Sequence, residues 1–180
     1  MSRIGKQIIT IPEKVEVKLN DGFLTVKGPL GEITRAFKPQ IVITIDQEAK
    51  TISLAPAEVT VANRALWGTY GSHLANMIEG VTKGYIKDLT VEGVGYRYAV
   101  AGNKVVLNIG FSHPVEVEIP VGLKVEITKA DMKISGFDKE VVGSFASKIR
   151  SLKPVEPYKG KGIRYVGEHV RRKQGKKTAA

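Results

Sequence analysis

The chain has 180 residues, 42% of them apolar, so it can bury a core in one or two domains. It contains no cysteine, which excludes disulfide-stapled folds and thiolate zinc sites, and no run approaches the roughly 18 apolar residues of a membrane-spanning helix. The formal net charge of +10 favours a polyanionic partner. Because the first residues lack the apolar core of a signal peptide, we expect a cytoplasmic protein.

The first half of the chain predicts short strands followed by one helix. Apolar and polar residues alternate at 15–19 and lead through the turn Asn20-Asp21-Gly22 into residues 23–27, which predicts a hairpin. Further strand candidates span residues 33–37, 41–45 and 51–54. From residue 59 apolar residues recur at steps of three and four, which predicts a helix with Pro56 in its first turn and Gly80 as its stop. The predicted buried face comprises Val59, Ala62, Leu66, Tyr70, Leu74 and Met77.

The second half repeats this order of elements. Its strand candidates span residues 85–91, 96–101, 104–109, 115–119, 123–127 and 132–135. A second helix follows, with Asp138 as a possible N-cap. Its predicted buried face comprises Val142, Phe145, Ile149 and Leu152.

The two halves align at a shift of 82 residues, which indicates an internal duplication. The aligned positions pair Gly28 with Gly110, Ile45 with Ile127, Ile52-Ser53 with Ile134-Ser135, and Glu58-Val59 with Glu140-Val141. The predicted fold class is therefore α+β: two tandem similar domains, each a small antiparallel sheet packed with one helix, plus a basic C-terminal extension. The predicted boundaries are residues 1–82, 83–153 and 154–180.

No motif of a known catalytic centre is present in the sequence. The three histidines, His73, His113 and His169, have no second ligand at metal-binding spacing. Gly93-Val94-Gly95 and Gly160-Lys161-Gly162 begin like dinucleotide fingerprints, but each lacks the third glycine. We therefore expect no enzyme, metal or cofactor, with a small hydrolase using His73 or His113 as the remote alternative.

Nearly all of the excess positive charge lies at the end of the chain. Residues 148–180 hold eleven Lys or Arg and two acids, whereas residues 1–147 hold 17 basic and 16 acidic groups. A solvated surface accounts for the nearly balanced charges of residues 1–147. The concentration in the last 33 residues favours contact with a polyanion, and we expect this segment to become ordered on it.

The basic segment also carries tyrosines and glycines. Lysine and arginine neutralise phosphates, tyrosine can stack on unpaired bases, and glycine lets the backbone approach a ligand closely. The turn at 92–97 again combines glycine, tyrosine and arginine, although a simple strand bulge also explains this segment. The predicted RNA-binding residues are Tyr158, Lys159, Gly160, Lys161, Gly162, Arg164, Arg171, Arg172, Lys173, Lys176 and Lys177, with Gly93, Gly95, Tyr96 and Arg97 in the turn.

Several segments resemble the family of bacterial large ribosomal subunit protein six, over almost the whole chain. They are residues 2–6, 26–31, 74–81, 91–97, 110–114 and, most specifically, Glu156-Pro157-Tyr158-Lys159-Gly160-Lys161-Gly162-Ile163. Val155 departs from the family, which usually has Pro or Ser there. The resemblance implies two duplicated α+β domains and contacts to large-subunit ribosomal RNA (23S in bacteria) at residues 158–162. It also implies neighbouring ribosomal proteins and a place near the stalk base and the sarcin–ricin loop, where translational GTPases dock.

Two functional hypotheses follow. In the first, the protein is a structural constituent of the large ribosomal subunit, and deleting residues 154–180 weakens RNA binding while leaving the fold intact. In the alternative, it is a free-standing nucleic-acid-binding module, which would bind duplex DNA as tightly as ribosomal RNA.

Overall fold

A computed structural model of the chain describes residues 4–175. These residues form two compact units. The first unit contains the residues up to 84 together with 137–139, and the second contains residues 85–136 and those from 140 onward.

The first unit has two three-stranded antiparallel sheets and one long helix, α1. One sheet has the order β1-β6-β5 and the other the order β2-β3-β4. Leu24, Val26, Ile52, Leu74 and Val81 are fully buried in the core between helix and strands. The elements are β1 (Ile9–Thr10), β2 (Glu16–Asn20), β3 (Phe23–Gly28), β4 (Gly31–Ala36), β5 (Ile41–Asp46), β6 (Thr51–Pro56) and α1 (Val61–Thr82).

The second unit repeats this arrangement and adds one strand. Its sheets have the orders β10-β9-β8 and β11-β12-β7-β13. Leu89, Leu107, Met132, Ile134 and Ile149 are fully buried in its core. The elements are β7 (Tyr85–Glu92), β8 (Arg97–Ala101), β9 (Lys104–Asn108), β10 (Val115–Glu118), β11 (Leu123–Thr128), β12 (Asp131–Gly136), α2 (Lys139–Leu152) and β13 (Gly162–Tyr165).

The strand orders support the internal duplication. The order β1-β6-β5 corresponds to β7-β12-β11, and β2-β3-β4 corresponds to β8-β9-β10. The α+β class with two tandem similar domains is confirmed. Each unit, however, contains two small sheets rather than one. Among the described residues, β2, β3 and β4 pair only with one another in the first unit, as do β8, β9 and β10 in the second.

The predicted alignment is wrong by two residues at one strand pair, and it also fails at the helix start, because Glu58-Val59 precedes α1 whereas Glu140-Val141 lies inside α2. In the first unit Ile45 faces Ile52, whereas in the second Ile127 faces Met132 and not Ile134. The turn after β11 is two residues shorter than the turn after β5. A shift of two residues keeps every side chain on the same face, so the alternating pattern could not reveal it.

The start and the end of α1 also differ from the prediction. Thr60 is the N-cap, and its hydroxyl accepts a hydrogen bond from the backbone N–H of Asn63 at 3.2 Å, so Pro56 ends β6 instead of opening the helix. The helix continues past Gly80 to Thr82. Val59, which precedes the helix, is 70% exposed, and Ala62 is exposed as well. Tyr70, Leu74 and Met77 are buried as predicted, together with Trp67, which the predicted face did not include.

Candidate nucleic-acid interface

The basic C-terminal segment is partly built into the second unit. Strand β13 lies antiparallel to β7, with Ile163 opposite Val91. Ile163 is fully buried and packs in the core of this unit. The predicted extension comprised the whole of 154–180, outside the second domain, but burial of this one apolar side chain anchors the segment to the sheet.

Residues 154–161 form a closed loop that leads into β13. The N–H of Ile163 donates to the carbonyl of Lys153 at 2.9 Å, and the N–H of Glu156 donates to the carbonyl of Lys161 at 2.8 Å. Gly160 has φ +74°, which favours glycine. A Cβ atom on Gly162 would lie 2.7 Å from the carbonyl oxygen of Pro154. The two glycines are buried and shape the loop, rather than facing outward.

The loop presents its polar side chains to solvent. Tyr158 is 56% exposed, and Lys159 and Lys161 are also exposed. Residues 171–173 return to this loop, because the N–H of Lys173 donates to the carbonyl of Pro157 at 2.8 Å. The fold therefore brings together basic side chains that are up to 14 positions apart in the sequence (Lys159 to Lys173).

The turn at residues 93–96 lies beside the loop. A pocket of about 310 Å³ is lined by Tyr96 from the turn and by Lys153, Pro154, Glu156 and Lys161. Gly95 has φ +79°, and the N–H of Tyr96 donates to the carbonyl of Gly93 at 3.3 Å, so the segment is a hydrogen-bonded turn.

Glycines also make room for the Tyr96 ring. A Cβ atom on Gly93 would lie 2.6 Å from that ring, and one on Gly110 would lie 3.1 Å from it. Gly93 therefore positions Tyr96 at the pocket, and the side chain of Arg97 is exposed at the start of β8.

Arg164 does not present a free charge. Its guanidinium pairs with the carboxylate of Glu92 on the neighbouring strand, and its side chain is 27% exposed. The strand register places Arg164 opposite Thr90, so Glu92 is its diagonal neighbour across the two strands. An RNA contact at Arg164 was predicted from its charge alone. In the structure, that charge forms an ion pair with Glu92 within the second unit.

Glu168 is likewise engaged inside the second unit. Hydrogen bonds from the Arg150 guanidinium, and then from the Tyr165 backbone N–H, hold the pKa of Glu168 below its usual value. The same Glu168 carboxylate raises the pKa of Arg150. Both groups therefore stay charged at neutral pH.

Comparison with known proteins decides the family. The family described as "Ribosomal protein L6" matches residues 11–84 and again 92–166, once in each unit. The chain belongs to the ribosomal protein L6 family. The second match ends just past β13, so this L6 repeat includes the strand that the sequence analysis had assigned to the extension.

Relatives with the same family name match along the full length. The chain is 52% identical over 177 residues to large ribosomal subunit protein uL6 of Lactobacillus gasseri, covering 98% of each chain. It is 46% identical over 181 residues to uL6 of Synechococcus sp., covering 100% of this chain and 99% of the relative. The uL6 protein of Opitutus terrae is 44% identical over 180 residues, with 99% of this chain and all of the relative covered. The family resemblance seen in the sequence is confirmed.

Two residues of the candidate interface, Phe111 and Lys153, were not among the predicted binding residues. Phe111 is 48% exposed, and the ammonium of Lys153 lies 5.2 Å from the centre of its ring. Lys153 was counted among the basic residues, but only the fold shows that it lines the pocket with Tyr96. We call the following set the tail surface: Tyr96, Phe111, Lys153, Tyr158, Lys159, Lys161, Arg171, Arg172 and Lys173.

Other predicted features lie elsewhere. Lys176 and Lys177 fall outside the described residues. In the first unit, His73 is hydrogen-bonded to the Arg35 guanidinium. Within residues 4–175, no group of three or more His, Cys, Asp and Glu side chains could hold a metal ion. No helix in that range is both long and apolar enough to cross a membrane.

Proposed function

We propose that the protein is a structural, non-catalytic constituent of the large ribosomal subunit and that its tail surface binds large-subunit ribosomal RNA. The observation that carries this proposal is the return of residues 171–173 to the loop at 154–161, through the hydrogen bond from Lys173 to Pro157. It joins two basic stretches into one surface. Family membership supplies the ribosomal context.

The chemistry of the tail surface suits folded RNA. Lys159, Lys161 and the cations at 171–173 are exposed and can neutralise phosphates, with release of condensed counterions. Tyr158 and Phe111 offer exposed rings on which unpaired bases can stack. Irregular RNA offers both phosphates and splayed bases, whereas duplex DNA offers mainly phosphates to such a surface.

The proposed location rests on the family resemblance of the sequence. We propose that the protein lies near the stalk base and the docking region of translational GTPases, among neighbouring ribosomal proteins. Crosslinking from Tyr158 and Arg172 in native ribosomes, followed by mapping of the joined nucleotides, tests it. Crosslinks to RNA far from the stalk base would contradict the location without affecting RNA binding itself.

The binding test compares two triple variants with the same charge change. Arg171→Gln, Arg172→Gln and Lys173→Gln together should weaken binding to a ribosomal RNA fragment on the order of tenfold or more and reduce the salt slope by about 3. The control is Lys14→Gln, Lys27→Gln and Lys50→Gln, exposed lysines of the first unit, which should change affinity by about twofold or less. Equal losses in the two variants would show that overall charge, and not the tail surface, drives binding.

This design replaces deletion of residues 154–180. That deletion would remove β13 and expose the core site of Ile163, which is fully buried. Loss of binding would then report an unfolded second unit. The triple variant leaves β13 in place, because residues 171–173 follow it in the chain and are exposed.

A further inference from the structure

A side-chain pair joins helix α2 to the segment after β13. Arg150 donates from Nε to one carboxylate oxygen of Glu168 at 3.0 Å, and its terminal nitrogen donates to the other oxygen. Such two-pronged arginine–carboxylate pairs are both strong and directional. The two side chains are only 35% and 27% exposed, so solvent screens them less than an ordinary surface pair.

The same segment is held at further points. Residues 165–168 form a turn in which the Glu168 N–H donates to the Tyr165 carbonyl at 3.0 Å and Gly167 has φ +83°. The Glu168 carboxylate also accepts from the Tyr165 N–H at 3.1 Å. The Val166 N–H donates to the Asp88 carbonyl at 3.0 Å. The Arg150 guanidinium lies 5.7 Å from the centre of the Tyr165 ring.

These contacts lie between β13 and the cations at 171–173. The chain leaves β13 at Tyr165, turns at Gly167, and reaches Pro157 again at Lys173. Glu168, which is held by Arg150, lies in the sequence between that turn and Lys173. We infer that Arg150 and Glu168 are positioning residues that hold residues 166–173 in their RNA-binding arrangement before RNA is present. The inference rests on the proposed RNA-binding function of the tail surface.

Charge alone predicts the opposite role for Glu168. A carboxylate among phosphate-binding cations repels RNA, so removing it should tighten binding. If Glu168 orders the segment, its removal makes RNA supply the ordering and binding weakens. The sign of the change in affinity therefore separates the two explanations.

The test is the Glu168→Gln variant of the full chain, with a ribosomal RNA fragment as the probe. We expect binding to weaken by about threefold to tenfold, the usual cost of ordering one or two long side chains. The matched control is Glu118→Gln, which removes an exposed carboxylate from β10 of the same unit and should leave binding unchanged or slightly tighter. Circular dichroism of each variant verifies that the fold is retained.

A charge-swapped variant tests the pair itself. Arg150→Glu combined with Glu168→Arg keeps the net charge and should recover part of the affinity that Glu168→Gln loses, because the swap restores the ion pair but not the hydrogen bond that Glu168 accepts from the Tyr165 N–H. Arg150→Gln alone should weaken binding as Glu168→Gln does, although the two changes alter net charge in opposite directions. Tighter or unchanged binding by Glu168→Gln, in a variant that folds normally, would overturn the inference.

A measurement without RNA keeps the inference separate from the proposed function. In the free protein, trypsin should cleave after Arg171, Arg172 or Lys173 several-fold faster in Glu168→Gln than in the unaltered chain or in Glu118→Gln. Equal cleavage rates would show that the pair does not order the segment. Failure of the unaltered chain to bind RNA would instead refute the proposed function, whatever the cleavage rates.

Discussion

At the scale of single residues, two buried aromatic side chains differ in how their polar atoms are satisfied. The indole N–H of Trp67 donates to the carbonyl of Leu54 at 2.7 Å in the core of the first unit. The hydroxyl of Tyr98, in the core of the second unit, has no hydrogen-bond partner among the described residues. Burial, and then the charge of Asp131, raise the pKa of Tyr98, so this hydroxyl remains neutral at any ordinary pH.

Replacing Trp67 with Phe should destabilise the protein. The substitution leaves the Leu54 carbonyl buried without its donor, which costs about 1–3 kcal/mol, and it also removes ring volume. Urea unfolding followed by circular dichroism measures the change, since this variant lacks the one tryptophan of the chain as a fluorescence probe. A loss below about 0.5 kcal/mol would mean that another group satisfies the carbonyl.

Replacing Tyr98 with Phe should have the opposite outcome. Because the hydroxyl is buried without a partner, its removal should leave the free energy of unfolding unchanged or raise it by up to about 1 kcal/mol. The same urea titration provides the measurement. A clear loss of stability would indicate a hydrogen bond that the structure does not show.

At the scale of elements, β13 distinguishes the second unit from the first. No strand of the described first unit pairs with the outer edge of β1, whereas β13 extends the second unit beyond β7. A basic segment becomes a strand here because Ile163 fills a core site and its backbone groups pair with β7. The proposed binding residues therefore flank a strand of the sheet instead of lying on a free chain end.

Replacing Ile163 with Ala should cost about 2–4 kcal/mol of stability, since the deleted methyl groups leave a cavity in the core. The matched control is Val166→Ala one position past β13, where the side chain is 59% exposed and the cost should stay within about 0.5 kcal/mol. Denaturant unfolding compares the two variants. Similar costs at both positions would show that β13 is not anchored by its buried face.

The turn after β13 should be sensitive to acid. The folded state lowers the pKa of Glu168 below its usual 4.5, so the pairing is complete above that value and is lost as pH falls through the lowered pKa. We expect the backbone amides of residues 166–173 in the unaltered chain to lose protection against hydrogen exchange at low pH, after correction for intrinsic exchange rates. The Glu168→Gln variant should lack that pH-dependent loss, because its neutral amide does not titrate and forms no ion pair at any pH.

At the scale of the whole molecule, charge separates the two parts of the chain. Residues 1–147 are nearly balanced, and the last 33 residues hold eleven cations. Arg150 and Arg164 form ion pairs inside the second unit, so fewer of these cations lack an acidic partner than the sequence count indicates.

The salt dependence of binding should reflect the remaining cations. If the tail surface and the residues beyond it neutralise about six to eight phosphates, the logarithm of affinity should fall against the logarithm of salt with a slope of roughly −5 to −7. Titrations of a ribosomal RNA fragment at several salt concentrations measure the slope. Duplex DNA that competes equally at the same salt would favour the free-standing module.

The sequence determined what depends on neighbouring residues. Alternation and turn residues located the hairpins, steps of three and four located both helices, and the uneven charge indicated a polyanion. Spacing alone did not place the helix start, since an apolar residue at the right spacing, Val59, precedes the helix. The family resemblance, carried by short motifs such as residues 156–163, was also readable from the chain alone.

Only the tertiary structure decided which distant residues meet. Arg164 pairs with Glu92 across 72 positions, and strand pairing places Tyr96 beside Lys161. Such partners depend on strand order and register. An alternating pattern does not specify either one, because several strands share the same pattern. The sequence therefore located the basic residues, and the pairing of β13 with β7 decided which of them are exposed and which are held in ion pairs.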